Sequence, residues 1–357
     1  MRIINEIKLD YNNVLIRPKR STLTSRKDVK LQRTMNFLHS PKQWTGIPII
    51  SANMESSGTF SIARVLSSYQ MITTLHKYYS VEELEKELPA LNQPAYLAYT
   101  LGIRGEDMEK LLRVKEKGLE KYFDFICIDV PNAYLESVVR KVEEIRSLFP
   151  EHILIAGNVV SNEMTEELLL RGADIVKVGI GPGSACTTRR KTGVGYPQLS
   201  AVIECSDAAH GINSEQGYGR IIADGGLVYA CDFAKAFCGG GDFVMSGSLF
   251  SGYEQSGGEL VEKDGKQYKM YVGSSSSYFM KKHYHKVDAH RASEGRVIHL
   301  PFKGDLHHFI QDLLGSLRST ATYIGARSIK EFGKRATFVQ VYHQLNTSLE
   351  KYDQTTL

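Results

Sequence analysis

No apolar run in the sequence approaches the roughly 18 residues that a membrane-spanning helix requires. The N-terminal stretch MRIINEIKLDYNN lacks the apolar core of a secretion signal. Lys and Arg form no block, and the formal net charge is only +4 over 357 residues. The short run Lys281-Lys282-His283 reads as a solvated helix face. Nucleic-acid binders normally carry a basic stripe, so a nucleic-acid partner is not expected. The five cysteines, Cys127, Cys186, Cys205, Cys231 and Cys238, are odd in number and show no CxxC spacing. That disfavours a disulfide framework or a structural zinc site. These absences together predict a protein of the reducing cytoplasm with no membrane contact. Also missing is a GxGxxG loop opening a helix after the first strand, which counts against an open doubly wound sheet.

Eight short apolar runs are present, each followed by turn residues. They are IPIISANM (47–54), QMITTLHK (70–77), PAYLAYTLG (94–102), FDFICIDV (123–130), HILIAGNV (152–159), ADIVKVGIG (173–181), RIIADGG (220–226) and GDFVMSGS (241–248). Helical periodicity fills the gaps, as in AYLESVVRKVEEIRSLF (133–149) and NEMTEELLLRG (162–172). Near-continuous apolar strands that alternate with amphipathic helices imply a parallel sheet buried on both faces. Eight such units predict a (β/α)8 TIM barrel. We expect a single catalytic domain over 1–357, with an N-terminal extension at 1–46. The region 249–303, after the eighth strand, is read as a mobile flap with a β-hairpin around Asp264-Gly265. The segment LHHFIQDLLGSLRSTATYIG is expected to close the barrel as a final helix.

In such a barrel the loops after the strands build the site. Here they carry Asn53, Lys77, Asp129, Asn158, the loop GIGPGSACTTRRKTGVGYPQ, Asp224-Gly225-Gly226 and Gly247-Ser248. Bare glycines after the seventh and eighth strands let backbone N–H groups approach phosphate oxygens; the alternative is that they only turn the chain. Asp224 is placed to accept hydrogen bonds from ribose hydroxyls. Cys186 sits among Ser184, Thr187, Thr188 and Arg189, with no large aliphatic neighbour before Val194. A thiol there is a candidate nucleophile, against the alternative of an inert surface cysteine.

The stretch GIGPGSACTTRRKTGVGYPQLSAVIECSDAAHG closely resembles the cysteine loop of the inosine-monophosphate dehydrogenase and GMP reductase superfamily. IIADGG and DFVMSGSLFSGYEQSGGE resemble its nucleotide-phosphate loops, and the resemblance runs from LDYNNVLIRPKRS through TYIGA. The chain has no room for the paired regulatory (CBS-type) module of typical dehydrogenases, and HRASEGRVIHLPFKGD (290–305) looks like the flap of the reductase branch. That branch converts GMP to IMP and ammonia with NADPH, in purine nucleotide interconversion. The resemblance implies Cys186 as the nucleophile at C2 of the purine, with Thr188 as proton relay and Glu294 as its acidic partner.

By the same resemblance, Ser184, Gly225, Gly226, Gly247 and Ser248 would meet the phosphate and Asp224 the ribose. Gly273, Ser274 and Ser275, with Arg291, Ala292, Ser293, Glu294 and Gly295, would contact the nucleotide. The NADPH side would draw on Lys77, Asp129, Val130, Pro131, Asn132, Ile180, Gly181, Ser274, His290 and Arg291, with Ser25 and Arg26 nearby. Ser319, Thr320, Ala321 and Thr322 would reach a neighbouring subunit's cofactor. Carbonyls of Gly181, Gly183 and Cys186 would bind a potassium ion beside Arg189. The family's assembly implies a homotetramer.

Several loops depart from the reductase pattern. Val272-Gly273-Ser274-Ser275-Ser276 stands where Gly-Met-Ser-Ser is expected, and Asp129-Val130-Pro131-Asn132-Ala133 where Asp-Val-Ala-Asn-Gly is expected. YTLGIRG replaces a run of small residues after the third strand, and NSEQGYG (213–219) is inserted before the seventh. The departures in the Val272–Ser276, Asp129–Ala133 and YTLGIRG loops concern the cofactor side. Two other readings therefore stand beside a reductase: a dehydrogenase without its regulatory module, and a nucleotide-binding paralogue whose cofactor pocket has drifted.

Overall fold

The computed structural model describes residues 1, 3–284, 293–342 and 344. The chain begins with strand β1 (Val14–Ile16) and a hairpin, β2 (Arg33–Met35) with β3 (Trp44–Gly46). Eight parallel strands then close into a barrel: β4 (Ile49–Ser51), β5 (Ile72–Thr74), β6 (Leu97–Leu101), β7 (Phe125–Asp129), β8 (Ile153–Val159), β9 (Ile175–Val178), β10 (Arg220–Asp224) and β11 (Phe243–Ser246). Each falls inside one of the eight apolar runs. Closure comes from β11 pairing with β4, where Val244, Met245 and Ser246 lie opposite Ile49, Ile50 and Ser51.

Helices α1 (Phe60–Ser68), α2 (Val81–Leu91), α3 (Gly105–Glu116), α4 (Glu136–Leu148), α5 (Asn162–Leu170), the short α6 (Thr188–Thr192), α7 (Gln198–Gly211) and α8 (Ala230–Cys238) follow the strands in turn. Their starts are set locally. Thr59 accepts the Ile62 N–H ahead of α1, and Ser80 and Glu83 form a reciprocal cap on α2. Their apolar stripes bury against the outward strand residues, such as Ile126, Ile128 and Val176, in one large core.

The strand period of two sorts residues between that outer core and the barrel lumen. Phe125, Cys127, Ile153, Ile155, Ile175, Ile222, Phe243 and Met245 point inward and form a second core. Phe37 and Trp44, from the segment before the barrel, belong to it. Their rings meet Phe125 edge-on at 6.3 and 6.5 Å, and Trp44 donates its indole N–H to the Ala95 carbonyl at 2.7 Å. The β2–β3 hairpin thus plugs the N-terminal end of the barrel, and each buried ring contributes roughly 1.5–3 kcal/mol there. Two buried carboxylates tie the plug down. Asp174 accepts the His39 and Ser40 N–H groups, and Asp242 faces Arg33 and Arg220.

After the barrel come β12 (Leu260–Lys263), β13 (Lys266–Val272), α9 (Ser277–Tyr284) and β14 (Val297–Pro301), in which the three strands form an antiparallel sheet. Asp264 and Gly265 turn the hairpin with φ of 52° and 69°, the left-handed pair that a tight two-residue turn needs. Helix α10 (Leu306–Ile324) packs along α8 and stops at Gly325, φ 71°. Near the C-terminus β15 (Phe338–Gln340) pairs with β1. No helix among the described residues is long and apolar enough to cross a membrane.

Candidate active site

Inward positions near the C-terminal ends of neighbouring strands form the upper layer of the lumen. On β7 the inward series Phe125, Cys127, Asp129 ends in a carboxylate, and on β10 the series Ile222, Asp224 does the same. Between them β9 contributes Lys177, with 2% of its side chain exposed. Its ammonium donates to Asp129 Oδ1, and it lies 3.3 Å from Asp224 Oδ2. Burial alone would push the Lys177 ammonium down, but the two carboxylates overcome this and hold it well above the ordinary lysine range. Burial likewise works against the Asp129 carboxylate. Lys177 and the Asn53 side chain outweigh it and keep Asp129 below the usual carboxylate value. Asn158 donates 2.8 Å bonds to Asp224 Oδ2 and to the Gly179 carbonyl.

The loop after β9 bends sharply around glycines. A Cβ on Gly179 would sit 2.3 Å from the Asp224 carbonyl oxygen, so only glycine lets the loop pass the end of β10. Cys186 lies at the far side of this loop, and Thr188 opens α6 two residues later. The Cys186 thiol donates to Thr188 Oγ1 at 3.1 Å, and the Thr188 hydroxyl donates to Glu294 Oε2 at 2.6 Å. Glu294 is held there by backbone pairing. The Thr187 N–H donates to the Glu294 carbonyl at 2.7 Å and the Arg296 N–H to the Ala185 carbonyl at 3.1 Å. The Arg296 guanidinium adds two bonds to the Ser184 carbonyl, at 3.0 and 2.8 Å. The segment before β14 is therefore stitched to the cysteine loop.

One continuous cleft of about 300 Å³ joins these groups. Of the residues expected from the sequence, Lys77, Asp129, Val130, Pro131, Ile180, Gly181, Gly183, Cys186, Thr188, Asp224, Gly225, Gly273, Ser274, Ser275, Glu294 and Gly295 line it. Ser184, Gly226, Gly247 and Ser248 do not line it, although Ser184 and Gly226 directly follow residues that do. Gly225 and Gly226 both have positive φ, 87° and 77°, conformations that favour glycine and turn two successive N–H groups. Ser293 accepts the Ser277 N–H at 3.0 Å instead of lining the cleft, and Asn132 caps the Tyr134 N–H. Arg189 packs its aliphatic stem beside Gly181 and pairs with Asp10 at 3.0 Å. The carbonyls of Gly181 and Cys186 accept no hydrogen bond from any described residue, whereas Gly183 accepts the Cys186 N–H. His290, Arg291 and Ala292 lie outside the described residues.

Ser25, Arg26, Ser319, Thr320, Ala321 and Thr322 are not brought to this cleft. The turn Arg26–Asp28 packs on α10, so these residues gather together elsewhere. Ala321 is fully buried, and its side chain offers no surface to a ligand. The Ser319 and Thr322 hydroxyls bond within their own helix, to the carbonyls of Gly315 and Ser319.

Lys177 was absent from the expected set, although a lysine inside ADIVKVGIG signalled a buried charge in need of partners. Tyr271 was also missed. It is buried and lines the cleft, and burial raises its phenol pKa. A Cβ on Gly247 would come within 2.9 Å of the Tyr271 hydroxyl oxygen. By contrast, burial pushes the thiols of Cys127, Cys205 and Cys238 up to about 12, which makes them poor nucleophiles.

The family model for the IMP dehydrogenase / GMP reductase domain matches residues 8–347. The chain is 50% identical to GMP reductase 2 of Mus musculus over 346 residues, 96% of this chain and 97% of that protein. It is 50% identical to a GMP reductase of Caenorhabditis elegans, covering 97% of this chain and 95% of that one. A GMP reductase of Vibrio campbellii is also 50% identical, over 98% of this chain and 100% of that protein.

Proposed function

The chain belongs to the IMP dehydrogenase / GMP reductase family, and from that premise we propose that it is a GMP reductase, an oxidoreductase that turns GMP into IMP and ammonia. The observation that carries this reading is the hydrogen-bonded series Cys186, Thr188, Glu294 at the edge of the cleft. The guanine amino group is a poor leaving group. Addition of the Cys186 sulfur to C2 splits its displacement into two easier steps. The thiol proton passes through the Thr188 hydroxyl towards Glu294, and the same series returns a proton to the departing amine. NADPH, when bound, supplies the hydride that ends at C2. The electron pair of the carbon–sulfur bond then returns to sulfur, and IMP leaves.

The rest of the cleft divides by chemistry. Asp224 accepts from the ribose hydroxyls. At the edge of the cleft the N–H groups of Gly226, Gly247 and Ser248, with Ser184, take the phosphate, while Gly225, whose N–H donates to the Met245 carbonyl at 3.2 Å, turns the chain beside it. Gly273, Ser274, Ser275 and Gly295 bound the purine. Lys77, Asp129, Val130 and Pro131 form the cofactor side of the same cleft. Pro131 removes a backbone donor that an alanine would offer, and Ser274 offers less apolar contact than methionine, so the altered loops bear on cofactor affinity more than on chemistry at C2. The carbonyls of Gly181 and Cys186, which accept no hydrogen bond from the described residues, suit a potassium ion, which binds through oxygen. Ser25, Arg26 and the accessible residues around Ser319 would meet the cofactor of a neighbouring copy in a homotetramer.

The test is product identification. Protein incubated with GMP and NADPH in potassium buffer is expected to release IMP and ammonia in equal amounts. Binding of GMP without either product would support the drifted paralogue, and XMP from IMP and NAD would support the dehydrogenase.

A further inference from the structure

The lumen beneath the cleft holds one ammonium that reaches two carboxylates. On the inner face Asp129, Gly157 and Lys177 are register partners on β7, β8 and β9. Gly157 has no side chain to separate the outer two. A Cβ there would lie 2.5 Å from Lys177 Cβ, so the glycine opens the window through which Lys177 reaches Asp129. On its other side Lys177 meets Asp224 Oδ2, the same oxygen that Asn158 occupies. Asp224 Oδ1 accepts no bond from any described residue and stays open.

We propose that Lys177 is a positioning residue for the reaction: it fixes Asp129 on the cofactor side and Asp224 on the nucleotide side with one shared cation. This deepens the GMP reductase reading and rests on it. A lysine this buried is costly unless paired, and its pairing is spent on the two carboxylates assigned to the two ligands. Lys177 lines the cleft at its base, yet its ammonium faces the carboxylates. Its effect on binding therefore passes through them. Because one cation serves two acids, loss of it weakens both ligands together.

The test compares the full-length wild type with Lys177→Met, Asp129→Asn, Asp224→Asn and the two double variants. The readouts are KM for NADPH from turnover and Kd for GMP from calorimetry, with thermal denaturation as a check of folding. Lys177→Met is expected to raise both constants by about tenfold, and Lys177→Arg to restore part of each. Once Asp129 is amidated, adding Lys177→Met is expected to change the NADPH KM by less than about twofold. The same should hold for the GMP Kd in the Asp224→Asn background. Effects that multiply across either pair, or a Lys177→Met enzyme with unaltered constants, would overturn the proposal. If Lys177→Met does not fold, Lys177→Gln carries the same comparison. A wild type that binds GMP without oxidising NADPH sinks the reductase reading alone, because the Asp224 cycle is still measured on Kd. A wild type that binds neither ligand sinks both.

Discussion

Thr188 and Glu294 lie 106 positions apart in the sequence and 2.6 Å apart in the structure. The contact joins the turn that begins α6 to the segment leading into β14, and the Cys186 thiol sits 3.1 Å away on the other side of Thr188. The proposed proton path thus depends on two loops that belong to different parts of the chain.

Replacing either relay residue tests the path. Thr188→Val and Glu294→Gln are each expected to lower kcat by about 10²- to 10⁴-fold, the usual weight of a positioned proton-transfer group. KM for GMP should move much less, since the proposed hold on phosphate, ribose and purine falls mainly to other residues. Steady-state kinetics with varied GMP decides it. An equal rise in KM with kcat preserved would show a binding role instead.

Arg296 holds the Glu294 segment against the cysteine loop through the Ser184 carbonyl. Arg296→Ala is expected to reduce kcat on the order of tenfold to a hundredfold by letting Glu294 drift from Thr188. The side chain is exposed, so the melting temperature should stay nearly constant. Paired kinetic and thermal measurements separate the two effects. A lowered melting temperature with normal kcat would contradict the assignment.

The plug at the opposite end of the barrel should behave in the reverse way. Trp44→Ala removes a buried ring that packs on Phe125 and Phe243, with an expected loss of about 3–5 kcal/mol in stability. Denaturant unfolding measures the loss. Protein that remains folded should keep its kcat, because this end is remote from the cleft.

How legible these features were depended on whether the signal is local. The eight strands could be read because each is a near-continuous apolar run bounded by turn residues. The Asp264-Gly265 hairpin and α10 were equally local. Cys186, Thr188 and Glu294 came from the resemblance of two separate loops, and the structure brings those loops together. The segment 1–46 reads only as an extension, because nothing nearby in sequence says that Phe37 and Trp44 fill the lumen under Phe125. Lys177 was hidden for a related reason. Its partners Asp129 and Asp224 are 48 and 47 residues away, and only the closed barrel makes them neighbours.

A pH effect follows at the plug. The hydrogen bond to Asp242, 2.8 Å away, raises the His210 pKa above its ordinary 6.5 even though burial opposes it. A raised value in the folded state means that the pair stabilises the protein below about 6.5 and loses that contribution as pH climbs through the folded value. The melting temperature of the wild type minus that of His210→Gln should be positive near about pH 6 and shrink towards zero by about pH 9. A difference that grows with pH would contradict the sign.

The central claim is that Cys186 forms the bond to C2 of GMP. The most direct measurement is GMP-dependent loss of the reduced nicotinamide absorbance in potassium buffer, for the wild type beside Cys186→Ala. The account predicts a clear loss with the wild type and none with Cys186→Ala, while both proteins melt at similar temperatures. Turnover by Cys186→Ala at a rate near that of the wild type would contradict it.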